Sequence, residues 1–313
     1  MKGALSVICV VIPAYNEAEN LMVLVPQVAK QLLSMDPDAR IVVADDGSSD
    51  ATREVLMELH STVPCVEVTS SRRNLGKAAA LRRGFQVALD AGADVVVMMD
   101  ADGQDDPTEL PLLVAGLESS DLVTGARLVR QDRFVKRTTS RLYNRTTGLL
   151  SGAPGRDFNS GFKVMTAEVA GDLSPMLYGE MHRYLTVIAH GMGYLVSERP
   201  VTHHPRMSGQ SKYGIARFWR GMADLVTVRF LLSYENRPSH FFGGVGAFVF
   251  MAGMVVLGYL TALKVTGEAI GDRPLLIAGV LMTMVGLQLT VFGLLAELIV
   301  QARNRGPLDQ EPR

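Results

Sequence analysis

Cysteine is nearly missing: Cys9 and Cys65 are the only two in 313 residues. Neither has a second cysteine or a histidine at metal-ligand spacing. That argues against a disulfide scaffold or a zinc site, and both read as small buried hydrophobes in a reducing compartment. A bias of charge is missing too. The 31 Lys and Arg stand against 32 Asp and Glu, a net charge of −1, which argues against a nucleic-acid partner. The chain shows no internal repeat and no low-complexity segment. No signal peptide is expected: one lysine and an apolar run open the chain, but Pro13 and polar residues follow where a small-residue cleavage site would stand.

What is present is alternation. Residues 6–13, 41–44, 65–68, 95–99 and 121–124 read as strands, and 17–35, 51–60, 76–91 and about 108–117 as helices. The 17–35 helix carries an apolar stripe at Leu21, Leu24, Val25, Val28, Leu32 and Leu33, and Asp50 stands ready to cap the 51–60 helix. Such spacing predicts an α/β fold, a mostly parallel sheet with helices on both faces. Further on, 159–165, 194–196 and 201–202 read as strands and 181–190 as helical, after a basic, partly helical stretch at 127–145.

The organising stretch is the apolar run 95–99, which leads straight into Asp100-Ala101-Asp102. Two carboxylates one residue apart at the carboxyl end of a buried strand face the crevice where open α/β sheets bind ligands. Mg²⁺ or Mn²⁺ is held by one or two such carboxylates together with substrate phosphates. Alone, the motif reads equally as a polar turn. Pro13-Ala14-Tyr15-Asn16-Glu17 and Asp45-Asp46-Gly47 open onto the same edge, where a ring and carboxylates can stack on a base and accept from its N–H groups or from a ribose. Three polar clusters on one edge favour a site.

The last eighty residues differ in kind. Residues 241–263 and 275–296 carry no charge, and each suffices to cross roughly 30 Å of hydrocarbon, which takes about 20 residues. They predict a transmembrane hairpin, with Gly243, Gly244, Gly246 and Gly253 letting the helices approach. Arg229 and Arg237 precede the first span and Arg303 and Arg305 follow the second, while Lys264 and Arg273 in the loop are balanced by Glu268 and Asp272. That asymmetry puts both termini and the large domain on the cytoplasmic side of the cell membrane. Between domain and spans, 215–234 reads as an amphipathic helix at the interface with Trp219 at headgroup depth, or as a core helix. The expected division is a catalytic domain at 1–213, juxtamembrane helices at 214–238, the hairpin at 239–302 and a tail at 303–313.

Ile12-Pro13-Ala14-Tyr15-Asn16-Glu17, Asp45-Asp46-Gly47-Ser48-Ser49-Asp50, Asn74-Leu75-Gly76-Lys77 and Asp100-Ala101-Asp102 resemble family 2 glycosyltransferases of the Rossmann-like GT-A fold. Gly125-Ala126-Arg127, Lys136-Arg137 with Ser140-Arg141, Asp157 with Ser160-Gly161-Phe162, and the run 206–214 narrow the resemblance. They look like the polyprenyl-phosphate sugar transferases, the group of dolichyl-phosphate mannose synthase and the bactoprenyl glucosyltransferases.

The resemblance implies that Pro13, Tyr15, Glu17 and Asp45 contact the nucleoside of a UDP- or GDP-sugar, with Asp46 and Ala101 in the same nucleotide-sugar site. It implies that Asp100 and Asp102 hold the Mg²⁺ or Mn²⁺ bridging the diphosphate, with Gln104 close by. Arg127, Lys136 or Arg137, and Ser140 would hold the phosphate of the lipid acceptor. Asp102 and Asp157 are the expected catalytic carboxylates, Asp157 orienting the sugar or serving only as a loop cap. Lys77 reads as a diphosphate contact or as a solvated lysine. The loop bearing Arg206 and Lys212 can close over an anionic donor, or is an ordinary basic loop. His182 borders the site or caps a helix, and His203-His204 reads as surface.

The Gln-x-x-Arg-Trp run of processive synthases is absent, and Trp219 lies in Arg217-Phe218-Trp219-Arg220 instead. A phosphate acceptor suits that absence, because a phosphate monoester, with a second pKa of about 6, needs no general base. The expectation is a membrane-anchored, inverting hexosyl transfer to undecaprenyl or dolichyl phosphate. A lipid-hydroxyl acceptor and a non-catalytic nucleotide-sugar-binding scaffold are the alternatives. The choice of UDP or GDP, the hexose, and a homo-oligomeric state stay open.

Overall fold

The computed structural model describes residues 7–127, 147–148, 151–202, 204, 238–271 and 273–304. The chain divides into two compact units, Met1–Arg229 and Phe230–Arg313. Lys136, Arg137, Ser140, Arg206, Lys212 and the amphipathic helix expected at 215–234 lie outside the described residues.

In the first unit the elements run β1 (Ile8–Ala14), α1 (Ala18–Met35), β2 (Arg40–Asp45), α2 (Thr52–Thr62), β3 (Val66–Ser70), α3 (Lys77–Asp90), β4 (Val95–Met98), α4 (Leu110–Ala115), β5 (Leu122–Ala126), β6 (Lys163–Thr166), α5 (Ala167–Leu173), α6 (Leu185–Gly191) and β7 (Val196–Pro200). The strands form one sheet in the order β3-β2-β1-β4-β6-β5-β7. It is parallel except at β6, which runs against both β4 and β5. All seven residues of β1 are buried, as a central strand covered on both faces requires. Each fully buried Val or Ile there contributes roughly 1.5–3 kcal/mol.

α1 buries Leu21, Leu24, Val25, Val28 and Leu32 at helical spacing, with Pro26 on the exposed side. Leu33, one step off that stripe, is exposed rather than packed. Asp50 does serve the start of α2, its Oδ1 accepting from the Thr52 amide at 3.0 Å.

Three expected elements come out differently. The helix expected at about 108–117 is short, flanked by 3₁₀ turns at Pro107–Glu109 and Gly116–Glu118. Asp106 caps Thr108, and a Cβ at Gly116 would lie 2.9 Å from Val123, so the backbone stays close to β5. The strand expected at 159–165 starts only at Lys163, because the residues before it form a polar turn. The two strands expected at 194–196 and 201–202 are one strand between them, begun after Gly193 (φ 97°) and ended at Pro200.

The second unit holds α7 (Pro238–Val265) and α8 (Pro274–Asn304). Within them, Phe241–Val265 and Pro274–Val300 are long and apolar enough to cross a membrane, and only 11% of each apolar window is buried, unlike a core helix. Gly246 and Gly253 stand one heptad apart and face α8, where a Cβ would meet the Thr290 and Thr283 hydroxyls at 2.6 Å. Gly243 and Gly244 have open space instead. The two threonine hydroxyls bond back to the Gly286 and Gly279 carbonyls at 3.0 and 2.9 Å, which satisfies them within the helix.

Candidate active site

The carboxyl ends of β1, β2 and β4 present Ala14, Asp45 and Met98 on one edge, with Ala14 paired to Asp45 and Val11 to Met98. Pro13 is buried in β1 opposite Ala44, and Tyr15 emerges beyond it 45% exposed. Asn16 adopts a left-handed conformation (φ 56°), its side-chain oxygen accepting from the Ser49 amide at 2.9 Å, so the first two loops are tied together. Glu17 follows at the start of α1 and accepts from the Asn20 amide group at 2.5 Å.

Asp45 is fully buried. Its Oδ1 accepts from the Ser48 amide at 3.0 Å, and its Oδ2 has no hydrogen-bond partner among the described residues. A buried carboxylate oxygen without a donor is costly, which leaves Oδ2 able to accept one. Asp46 is placed otherwise. Its two oxygens accept from the Leu75 and Gly76 amides at 3.0 and 2.7 Å, which pins the loop that presents Lys77.

Lys77, the first residue of α3, reaches Asp100 with Nζ···Oδ1 of 2.5 Å. Burial alone would raise the Asp100 pKa, but the Lys77 ammonium, by charge and hydrogen bond, outweighs it. With His182 and Arg127 it holds the carboxyl below its ordinary value. A Cβ at Gly161 would lie 2.5 Å from the Asp100 carboxylate, so only glycine lets the 157–161 turn close on it. Ala101 is buried, and Asp102, 8% exposed, accepts from the Gln104 amide at 3.2 Å. Gln104 and His204 exchange two bonds, His204 N to Gln104 O at 2.8 Å and Gln104 Nε2 to His204 O at 3.3 Å, and His204 Nε2 meets Asp106 at 3.0 Å.

Among the described residues no three His, Cys, Asp or Glu converge into an all-protein metal cage. The hard oxygens of Asp100 and Asp102 fit a divalent cation completed by substrate phosphates, and the Lys77 ammonium on Asp100 shows that a cation is accommodated there.

Arg127 follows β5 directly. Its Nε and Nη2 donate to the two oxygens of Asp157 at 2.6 and 3.0 Å, a two-pronged grip with both side chains largely buried. Burial works against the charged guanidinium, but the Asp157 bonds win and hold its pKa above the ordinary value, with Asp105 and Asp100 adding to the effect. Each of Arg127 and Asp100 therefore lies within electrostatic reach of the other. His182 is buried near Asp100 rather than serving as a surface cap.

Sequence reasoning missed three charged residues: Asp105, Lys163 and Glu198. Asp105 is buried and bears on Arg127, while Lys163 and Glu198 bear on the turn that carries Asp157. Asp105 follows the Asp100-Ala101-Asp102 motif closely enough to have been considered; the other two carry no signal in the linear pattern.

A family model described as glycosyl transferase family 2 matches residues 9–174. The dodecaprenyl-phosphate galacturonate synthase of Rhizobium johnstonii is 33% identical over 305 residues, covering 94% of this chain and 88% of that protein. The undecaprenyl-phosphate 4-deoxy-4-formamido-L-arabinose transferase of Edwardsiella ictaluri is 32% identical over 300 residues, 95% of this chain and 90% of its own. Among solved structures, a mannosyltransferase from Pyrobaculum calidifontis in complex with GDP-Man and Mn²⁺ shares the fold. Its TM-score is 0.54 at 18% identity, covering 98% of this chain and 77% of that one.

Proposed function

The chain belongs to glycosyl transferase family 2, and from that premise we propose that this glycosyltransferase moves a sugar unit from a nucleotide sugar to a polyprenyl phosphate. The carrying observation is the Gly161 contact. The turn whose Asp157 grips Arg127 closes directly on Asp100, so a carboxylate suited to a cation and a guanidinium suited to an anion flank one edge.

In this reading the nucleoside stacks near the exposed ring of Tyr15, with Pro13 beneath and Glu17 alongside. Asp45 Oδ2 accepts an N–H or hydroxyl from the base or ribose. Asp46 serves indirectly, by fixing the loop that carries Lys77. Asp100 and Asp102, with Gln104 behind them, would hold Mg²⁺ or Mn²⁺, whose charge offsets that building on the departing diphosphate. Lys77 leaves Asp100 for the diphosphate as the donor settles. Lys136, Arg137, Ser140, Arg206 and Lys212 stay in the proposal as phosphate contacts on the strength of the sequence alone.

Arg127 holds the acceptor phosphate, and Asp157 holds Arg127. A phosphate oxygen forms a bond to the anomeric carbon while the bond from that carbon to the diphosphate breaks, its electron pair leaving with the diphosphate. A single displacement inverts the anomeric configuration. No side chain has to remove a proton, so positioning and fixed charge carry the rate. The two apolar helices would bring this unit to the bilayer surface that holds the acceptor, and the flanking arginines favour the cytoplasmic side.

The test is a panel of UDP- and GDP-hexoses, uronates and aminopentoses, with Mn²⁺ or Mg²⁺, offered to detergent-solubilised full-length protein. Polyprenyl phosphate and a glycerolipid alcohol serve as rival acceptors. Transfer to polyprenyl phosphate with inverted configuration is expected. Transfer to the alcohol alone, or retained configuration, overturns the proposal.

A further inference from the structure

Lys163 is fully buried in β6, opposite Met98 of β4 and Thr124 of β5, two residues short of Asp100 and three short of Arg127. Among the described residues its ammonium meets no carboxylate directly. It donates to the carbonyls of Ser160 at 2.6 Å and Phe158 at 3.3 Å. Burial pulls its pKa from 10.5 down to about 8, against which Asp157 and Glu198 work from nearby. A cation kept in the sheet interior at that cost, with backbone carbonyls as partners, is holding a loop.

Glu198 of β7 takes the other side of the same loop. Its Oε1 accepts from the amides of Arg156 and Asp157 at 2.7 and 2.8 Å. Gly155 rests on that carboxylate: its φ is +137°, and a Cβ there would lie 2.7 Å from Glu198 Oε1. From Gly155 to Gly161 the turn is therefore bracketed, with amides on an anion at one end and carbonyls on a cation at the other. The top of this bracket carries the Asp157 carboxylate that aims Arg127.

We propose that Lys163 and Glu198 are positioning residues for acceptor binding. They set the 155–161 turn so that Asp157 presents the Arg127 guanidinium to the acceptor phosphate, without touching a substrate themselves. This rests on the reading of Arg127 as the acceptor-phosphate contact. It predicts an asymmetric defect: loosening the bracket weakens acceptor binding and spares the donor.

The test measures KM for polyprenyl phosphate and for the nucleotide sugar, with the thermal midpoint, in full-length Lys163→Met, Glu198→Leu and Gly155→Ala. Arg127→Ala runs in parallel. Each bracket variant should raise the acceptor KM about tenfold, the worth of a lost hydrogen bond or two, with the donor KM within about twofold. Glu198→Gln keeps an acceptor oxygen and should recover most of the loss. Gly155 is exposed, so its variant keeps the test open even where Lys163→Met fails to fold. A parallel rise in both KM values alongside a lower midpoint means a merely structural role and overturns the proposal, as do unchanged KM values. Should Arg127→Ala itself leave the acceptor KM unmoved, the acceptor reading fails. Should Arg127→Ala move it while the bracket variants do not, the bracket alone fails.

Discussion

On the β2–β1–β4 side of the sheet edge a carboxylate meets a lysine; on the β6–β5–β7 side a carboxylate meets an arginine. Lys77 and Asp100 touch at one point, with side chains 33% and 30% exposed. Arg127 and Asp157 meet at two, with side chains 18% and 5% exposed. An ammonium is a compact charge that lets go of one oxygen and takes another, whereas the planar guanidinium locks onto a carboxylate in one orientation. In the proposed function the first pair would yield its place to a metal and a diphosphate, and the second would stay put. One edge supports both behaviours because the loop before Lys77 is held by backbone amides on Asp46, while the turn before Gly161 is held by the half-buried Glu198 carboxylate and the buried Lys163 ammonium.

Removing Asp102 is the harshest way to break that comparison. Asp102→Ala should lower turnover on the order of 10³-fold, the several kcal/mol that a divalent cation supplies, while far-ultraviolet circular dichroism stays native. Retained metal-dependent turnover would remove Asp102 from the cation site. Asp157→Asn comes next. Breaking a buried pair leaves Arg127 uncompensated, so the melting temperature should drop by the equivalent of about 3–5 kcal/mol and the acceptor KM should rise. Lys77→Met sharpens the contrast: a partly exposed single-point pair is worth about 0–1 kcal/mol, so the melting temperature should hardly move while the donor KM rises roughly tenfold. If Lys77→Met destabilised as much as Asp157→Asn, the division into a yielding and a fixed pair would fall.

The smallest effect is a slope with pH. Lys163 has its pKa lowered from 10.5 to about 8 in the folded chain. Between those values the unfolded chain binds the extra proton, so this contribution to stability rises with pH across the window. The melting-temperature difference between wild type and Lys163→Met should shift in favour of wild type from pH 8 towards 10.5. A flat difference would mean that the ammonium is not disfavoured by its surroundings.

Much of the first half of the fold is legible in the chain. Strands β1 to β5 and helices α1 to α3 stand within two or three residues of where the apolar periods put them, because each buries its own local pattern. The second half is harder to read. The residues around β6 look like an extended run, yet 157–162 bend into a polar turn and only Lys163–Thr166 pair in the sheet. A lysine in that strand looks like a solvent-facing residue, and nothing near it in sequence announces the sheet on both sides. The Asp45-Asp46-Gly47 motif does not distinguish the partners of its two carboxylates. In the folded chain Asp45 Oδ2 has no partner among the described residues, while Asp46 accepts from the Leu75 and Gly76 amides.

By itself the order of residues determined the parallel β1–β4 core, the paired carboxylates at a strand end and two helices long enough to cross a bilayer, since each depends on short-range period, length and composition. Only the folded chain decided which charges meet. The approach of Gly161 to Asp100, the grip of Asp157 on Arg127, and the hold of Glu198 on the Asp157 turn join residues dozens of positions apart, brought together by an antiparallel strand between two parallel neighbours. Charge pairing acts through space over a few ångströms, and spacing along a chain does not encode that distance.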